Sequence, residues 1–330
     1  MYDIVTIGSA TRDVFMRARD LLLVKDPRFK TGTGECLALG AKVEVSEIIY
    51  TVGGSAANTA VTFARQGLNT ACITKVGNDL RGEEIIRQLG KENIDTHFIT
   101  KDQKLMTAYS VVLLAPSGER SILVYRGAGE TLNTEDVPKQ ALRTKWFYIT
   151  HLGGKSAEVF SWIVRKAASR NIKIAVNPGS TQLRMAIPRL KPLLNHIDIF
   201  ILNREEASYL TKIPYHNSQG IFKKLDRWVK GLVVMTDGPN GLTVSDSKTK
   251  WHAGVLKERK LIDRTGAGDA FGSGFIAGFM KKKSVPYAIQ FGSANATSKI
   301  ERIGAQPGLL KKRDNILRWG KLKIKTAPIK

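Results

Sequence analysis

The apolar positions of this chain fall into short strand-length runs separated by stretches with helical spacing. Residues 3–8 read as a strand that begins almost at the N-terminus, and 55–66 and 80–89 read as helices flanking a strand at 70–76. Further on, 145–150, 172–176, 197–202 and 232–236 are apolar runs of strand length, most of them separated by helical stretches. Strands alternating with helices predict an α/β fold: a doubly wound, mostly parallel sheet with helices on both faces. The later runs are nearly continuous in Val, Ile and Leu, as in strands covered on both sides.

Two segments break this rhythm. In 42–46, Val43 and Val45 alternate with Lys42, Glu44 and Ser46, and in 107–125 two strand-like runs flank the turn signal Ala115-Pro116-Ser117-Gly118-Glu119. Strands with one solvated face predict a small antiparallel β lid, formed discontinuously by about 12–50 and 97–126 of a single domain spanning 1–330. A hairpin on the edge of the core fits the same pattern. The last residues, 321–330, read as a basic solvated tail.

Composition changes the picture in one respect. Of 330 residues, 52 are Lys or Arg and 29 Asp or Glu, a net charge of +23, which raises nucleic acid or an anionic membrane as a partner. Nearly half of that excess, +11, falls in residues 281–330, in clusters such as Lys281-Lys282-Lys283 and Lys311-Lys312-Arg313. Aromatic residues are sparse there, and no nucleic-acid-binding module is recognisable. A solvated basic surface is the expectation, with neither nucleic acid nor membrane as partner. No apolar run approaches the ~20 residues of a bilayer span. The first residues lack the pattern of a signal peptide. Cys36 and Cys72 form no disulfide framework, so a reducing cytoplasm is the expected location.

Four motifs carry candidate chemistry. The first is Asp263-Arg264-Thr265-Gly266-Ala267-Gly268-Asp269, opening a helix over 269–280. A helix start leaves N–H groups without partners at the positive end of the macrodipole, and small residues let an anion approach them. Asp269 there can accept a proton from an attacking hydroxyl, although an N-cap on a core helix uses the same residue. The second is Gly53-Gly54 before the Ala-rich helix carrying Ser55 and Asn58, which serves packing as well as binding. The third is Asn203-Arg204-Glu205-Glu206 after an apolar strand, where open α/β sheets place ligands. Its oxygens suit Mg²⁺ held through water, and equally a helix cap. The fourth is Thr236-Asp237-Gly238-Pro239-Asn240-Gly241, which also reads as a plain turn.

Other signals fail. Gly154-Lys155-Ser156 resembles the end of a P-loop, but the required first glycine falls on Ile149. The His residues show no metal-ligand spacing, and His151 at a strand end is open to a structural or a substrate-touching role.

Taken together, these four motifs in this order resemble the ribokinase-like (PfkB) carbohydrate kinase family, over about residues 3–310. The resemblance implies an ATP-dependent phosphotransferase acting on a hydroxymethyl group of a sugar, ribokinase- or fructokinase-like. It implies Asp269 as general base and Gly266, Ala267 and Gly268 as the anion hole. Asp13, Gly53, Gly54 and Asn58 would hold the acceptor. Asn203, Thr236, Gly238, Gly241 and Asn295 would flank the nucleotide. Glu206 would organise Mg²⁺ through water. Asp263, with Thr265 and Gly304-Ala305, would form a candidate K⁺ site. The lid would close over substrate and serve as a homodimer interface.

The sequence departs from the family pattern at Arg264, where a small residue is usual, and at Ser55, where ribokinases often have Lys or Gly. The latter puts ribose itself in question. A nucleoside kinase of the same family, with a base slot from lid residues such as Phe15 or Tyr109, is the alternative. More distant are a nucleic-acid-binding protein and a degenerate scaffold, the second disfavoured by intact Asp269, Gly266, Gly268 and Glu206.

Overall fold

One short strand serves two hydrophobic layers. In the computed structural model, which describes residues 1–18, 21–29, 32–114 and 120–329, β1 (Tyr2–Ile7) lies inside a sheet. Val5 and Ile7 enter one apolar cluster and Ile4 the opposite one, because successive strand side chains point to opposite faces.

The chain continues through β2 (Thr11–Ala18), β3 (Leu22–Lys25), β4 (Thr33–Cys36) and β5 (Val45–Gly53) to α1 (Ser55–Arg65), β6 (Thr70–Gly77), α2 (Leu80–Lys91) and β7 (Ile99–Asp102). β8 (Tyr109–Leu114) and β9 (Arg120–Tyr125) precede β10 (Thr144–Ile149). Helices and strands then alternate: α3 (Ala157–Ala168), β11 (Lys173–Val176), α4 (Ser180–Leu183), α5 (Ile187–Leu194), β12 (Ile199–Asn203), α6 (Arg204–Thr211), α7 (Ser218–Trp228) and β13 (Leu232–Thr236). β14 (Leu242–Ser245) and β15 (Thr249–Ala253) lead to the pair α8 (Ala267–Lys282) and α9 (Val285–Ile300), and β16 (Ile324–Pro328) follows.

The main sheet has the order β16-β15-β14-β13-β12-β11-β10-β1-β6-β7. It is parallel from β7 to β13 and antiparallel from β13 to β16. On one face, Phe147 and Ile149 of β10 pack with Val159, Phe160 and Ile163 of α3 and with Leu residues of α5. On the other, Trp146 and Tyr148 pack with Phe63 of α1, Phe271 and Phe275 of α8 and Ile289 of α9. α8 and α9 approach closely through glycine: a Cβ on Gly278 would lie 2.9 Å from Phe291, and one on Gly292 would lie 2.9 Å from the Phe271 carbonyl oxygen.

A second sheet, β5-β2-β8-β9, stands apart from the first. Its two antiparallel pairs, β2 with β5 and β8 with β9, meet at a parallel β2–β8 contact. Phe15, Val112 and Leu114 form its small core. Asp79, the N-cap of α2, ties this sheet to the domain by accepting hydrogen bonds from Thr107 N (2.8 Å) and Thr107 Oγ1 (2.7 Å). β3 and β4 form a separate ribbon, in which every residue of β3 is exposed.

The structure corrects three boundaries. β5 starts only at Val45, not at residue 42. Residues 99–102 belong to the main sheet, where β7 pairs with β6, so the second lid segment starts near Tyr109. The segment expected as a tail contributes β16, which pairs with β15, while Ile324 packs on the main core. The turn at 115–119 lies outside the described residues. Among those residues no helix is long and apolar enough to cross a membrane.

Candidate active site

Asp269 sits in the first turn of α8. The helix is entered through Gly266, whose φ of +75° is left-handed and whose Cβ, were there one, would lie 2.8 Å from Ala305 Cβ. Glycine is therefore required there by conformation and by space. Ala267 N–H donates to Arg264 O at 3.1 Å. This corrects the expected hole: among the described residues the Gly266 and Gly268 N–H groups have no acceptor, whereas that of Ala267 does. A Cβ on Gly268 would meet nothing within 4 Å, so the helix start faces open space.

The Asp269 carboxylate is held from the other end of the chain. Asn58 Nδ2, on α1, donates to Asp269 Oδ2 at 2.9 Å. Burial pushes the Asp269 carboxyl above the usual carboxylate range, while the Asn58 amide and the Ser55 hydroxyl favour its charged form. Ser55, part of the second motif but given no role in the site by the sequence, thus lies beside Asp269. Asn58 is itself buried, and its Oδ1 accepts from Gln306 Nε2 at 3.4 Å.

Beside α1 stands Asp13 of β2, also buried. Thr11 Oγ1 donates to it at 2.8 Å. Burial pushes its carboxyl above the usual carboxylate range, and the Thr11 and Ser110 hydroxyls and Arg12 oppose that rise. Thr11 pairs with Gly53 across β2 and β5, and a Gly53 Cβ would fall 1.8 Å from Asp13 Oδ2. Gly54, with φ +90°, comes so close to Ser9 and Ala10 that a Cβ would lie 2.6 Å from both backbones. The double glycine thus makes room for the Asp13 carboxylate and lets α1 start against the loop after β1.

The third and fourth motifs meet through sheet register: Asn203 of β12 pairs with Thr236 of β13. Asn203 Oδ1 accepts from Glu206 N and Glu206 Oε2 accepts from Asn203 N, both at 2.8 Å, a reciprocal capping box. Burial raises the Glu206 carboxyl. The capping bond engages Oε2 of Glu206, and a single carboxylate with the Asn203 amide suits Mg²⁺ held through water and phosphates. Arg204 NH1 donates to Asp237 Oδ2 at 2.8 Å and its guanidinium lies over the Tyr215 ring, which fixes the turn after β13. In that turn Gly238 and Gly241 have φ of +52° and +91°, and a Gly241 Cβ would fall 2.1 Å from Ala253 O.

Asn295 corrects the expected set. It is fully buried in α9, donates to Ala270 O (2.7 Å) and accepts from Leu310 N (2.8 Å), so its amide ties α9 to α8 and to the following loop. His151 is seated against Gly153 and Gly179; burial and then Arg126 lower its imidazole below the usual range.

Asp263 lies at the bottom of the loop that leads to Gly266. Its Oδ1 accepts from Thr265 N (2.8 Å) and its Oδ2 from Gly304 N (2.9 Å). Lys299 Nζ, from α9, donates to Asp263 O at 2.7 Å and stands 3.4 Å from Asp263 Oδ2. Lys299 has no solvent exposure, and burial pushes its ammonium down to about 8. Sequence reasoning missed it, although it is the lone charged residue of α9.

An open sheet with helices on both faces, a small second sheet, and a helix start beside a carboxylate suit group transfer from an anion. The description "pfkB family carbohydrate kinase" matches residues 1–312. A ribokinase of Haemophilus influenzae is 31% identical over 267 residues, covering 78% of this chain and 83% of that protein. Arabidopsis thaliana ribokinase, solved with ribose and ATP, superposes with a TM-score of 0.78 at 21% identity, covering 96% of this chain and 98% of that one. Adenosine kinase from Sinorhizobium meliloti superposes with a TM-score of 0.75 at 24% identity, over 94% and 97% of the two chains. The chain belongs to the pfkB family of carbohydrate kinases, phosphotransferases that act on sugar hydroxyl groups.

Proposed function

We propose that this protein transfers the γ-phosphoryl group of ATP to a hydroxymethyl group of a sugar, in the manner of a ribokinase or fructokinase. The Asn58–Asp269 hydrogen bond beside the free N–H groups of Gly266 and Gly268 carries this reading. A carboxylate within one turn of a helix start is the arrangement that supports it.

In this account Asp269 accepts the proton of the acceptor hydroxyl as that oxygen attacks phosphorus. Asn58 and Ser55 favour the charged carboxylate against the effect of its burial. Gly266 and Gly268 donate to the phosphoryl oxygens as negative charge shifts towards them. Asp13 accepts hydrogen bonds from acceptor hydroxyls, with Gly53 giving it room. Asn203, Thr236, Gly238 and Gly241 border the nucleotide. Mg²⁺, organised by Glu206, supplies charge neutralisation on the phosphates. Lid closure excludes water, a competing acceptor. Residence in the cytoplasm and pairing of two lids belong to the same reading; the exposed Ile48, Tyr50, Leu123 and Tyr125 support the pairing.

The nucleoside alternative has less support in the lid. Phe15 is consumed by the lid core, and the Tyr109 ring lies under Arg81. Neither offers a free apolar slot for a base. A panel of pentoses, hexoses and ribonucleosides, assayed for ADP release with Mg²⁺-ATP, tests the assignment. Stimulation by a sugar supports it, and stimulation by adenosine alone replaces it with the alternative.

A further inference from the structure

The family resemblance places a K⁺ ion at Asp263, Thr265 and Gly304-Ala305. The residues present do not fit one. Both carboxylate oxygens of Asp263 are engaged by backbone N–H groups, and its carbonyl oxygen is engaged by Lys299 Nζ at 2.7 Å. Among the described residues Thr265 Oγ1 is buried without a partner, and the Lys299 ammonium already supplies a positive charge beside the Asp263 oxygens.

We propose that the Lys299 ammonium, fully buried against Asp263, takes the place of a monovalent cation beneath the anion hole and makes this kinase independent of K⁺. An ammonium group matches K⁺ in charge and closely in size, and it is tethered here by its own helix. A buried Lys is strongly disfavoured unless paired, so its presence at this carboxylate is specific. Arg120 of the lid strand β9 already lies close enough to disfavour the Lys299 charge. A free K⁺ would add another positive charge beside Lys299 and Arg120.

The ammonium is connected to the chemistry by a short chain of contacts. Lys299 fixes Asp263. Asp263 holds Gly304 N at 2.9 Å. Ala305, the next residue, packs against Gly266 so closely that a Gly266 Cβ would lie 2.8 Å away. Gly266 starts α8 and offers one of the free N–H groups. Lys299 is therefore a positioning residue for the anion hole, not a group that touches substrate. Its role deepens the kinase reading and rests on it for the nucleotide measurement below.

The test compares wild type with Lys299→Met, each exchanged into tetramethylammonium chloride or KCl at equal ionic strength. Two quantities are read: the Kd for Mg²⁺-ATP, and the unfolding temperature without nucleotide. For wild type, both conditions give the same unfolding temperature and Kd values within about twofold, since a site without coupling shifts nothing. In tetramethylammonium, Lys299→Met binds Mg²⁺-ATP roughly 5–150-fold more weakly, and K⁺ or NH₄⁺ restores most of the loss and raises its unfolding temperature. Wild-type affinity that improves roughly fivefold or more with K⁺ overturns the proposal. So does a folded Lys299→Met that responds to neither cation. If the variant does not fold, the wild-type comparison decides alone. Absence of Mg²⁺-ATP binding in every buffer refutes the kinase reading instead, while the unfolding temperatures still report on the cation.

Discussion

Asn58 Nδ2 donates to Asp269 Oδ2 across 2.9 Å, joining α1 to the first turn of α8 although 211 positions separate them in the chain. The bond opposes the effect of burial, which raises the carboxyl. A general base acts only when deprotonated, so kcat falls as pH drops through the Asp269 pKa, giving an acid limb above the usual carboxylate range. Asn58→Ala removes a donor that favours the charged form, so the limb moves to higher pH. A pH–kcat profile of both proteins checks the direction; a shift to lower pH contradicts it.

Gly53 is adjacent to a carboxylate, not merely to a turn. A Cβ at this position would collide with Asp13 Oδ2 at 1.8 Å. Gly53→Ala is expected to displace that carboxylate and raise the acceptor KM about tenfold or more, a loss of about 1.5–3 kcal/mol for a hydrogen bond to a charged group. The KM for ATP stays near wild type. Initial rates with each substrate varied in turn distinguish this from a general loss of folding.

At Gly266 the strain is in the backbone as well as in space. Alanine at φ +75° costs about 1–3 kcal/mol, and its methyl meets Ala305 at 2.8 Å. Gly266→Ala is expected to lower the unfolding temperature and to weaken Mg²⁺-ATP binding together. Calorimetric titration and thermal unfolding on one sample show both.

The Arg204–Asp237 pair, 2.8 Å apart and largely buried, secures the turn that carries Gly238 and Gly241. Asp237→Ala leaves the guanidinium with its two backbone acceptors at Tyr215 and His216 but frees the turn. The expected outcome is a rise in the ATP KM of roughly 10-fold or more, about 1.5–3 kcal/mol for a charged hydrogen bond, with kcat at saturating ATP little changed.

Much of this architecture was legible from apolar runs, because a buried parallel strand leaves few options for its residues. The central strands, α1, α2 and α8 lie close to where periodicity predicts them. Three features escaped. β16 is short and lysine-bearing, with four of its five residues exposed, so edge pairing left little apolar signature. β7 has one fully exposed residue and three half-buried ones, and its partner strand is set by topology. Asn295 carries no local sign of its role, since its three partners lie on α1, α8 and the Leu310 loop. In the site, Gly266, Asp269, Asn203 and Glu206 were legible because helix starts have a composition. Lys299 was not, because what makes it special is a carbonyl and a carboxylate 36 positions away.

The central claim is that Asp269 takes the proton from an acceptor hydroxyl while the N-terminus of α8 holds the transferring group. Acceptor-dependent ADP release by Asp269→Asn, measured beside Mg²⁺-ATP affinity on the same preparation, tests it most directly. A kcat lower by about 10²–10⁴-fold with ATP binding nearly intact is expected. Turnover at the wild-type rate in a variant that binds ATP normally would contradict it.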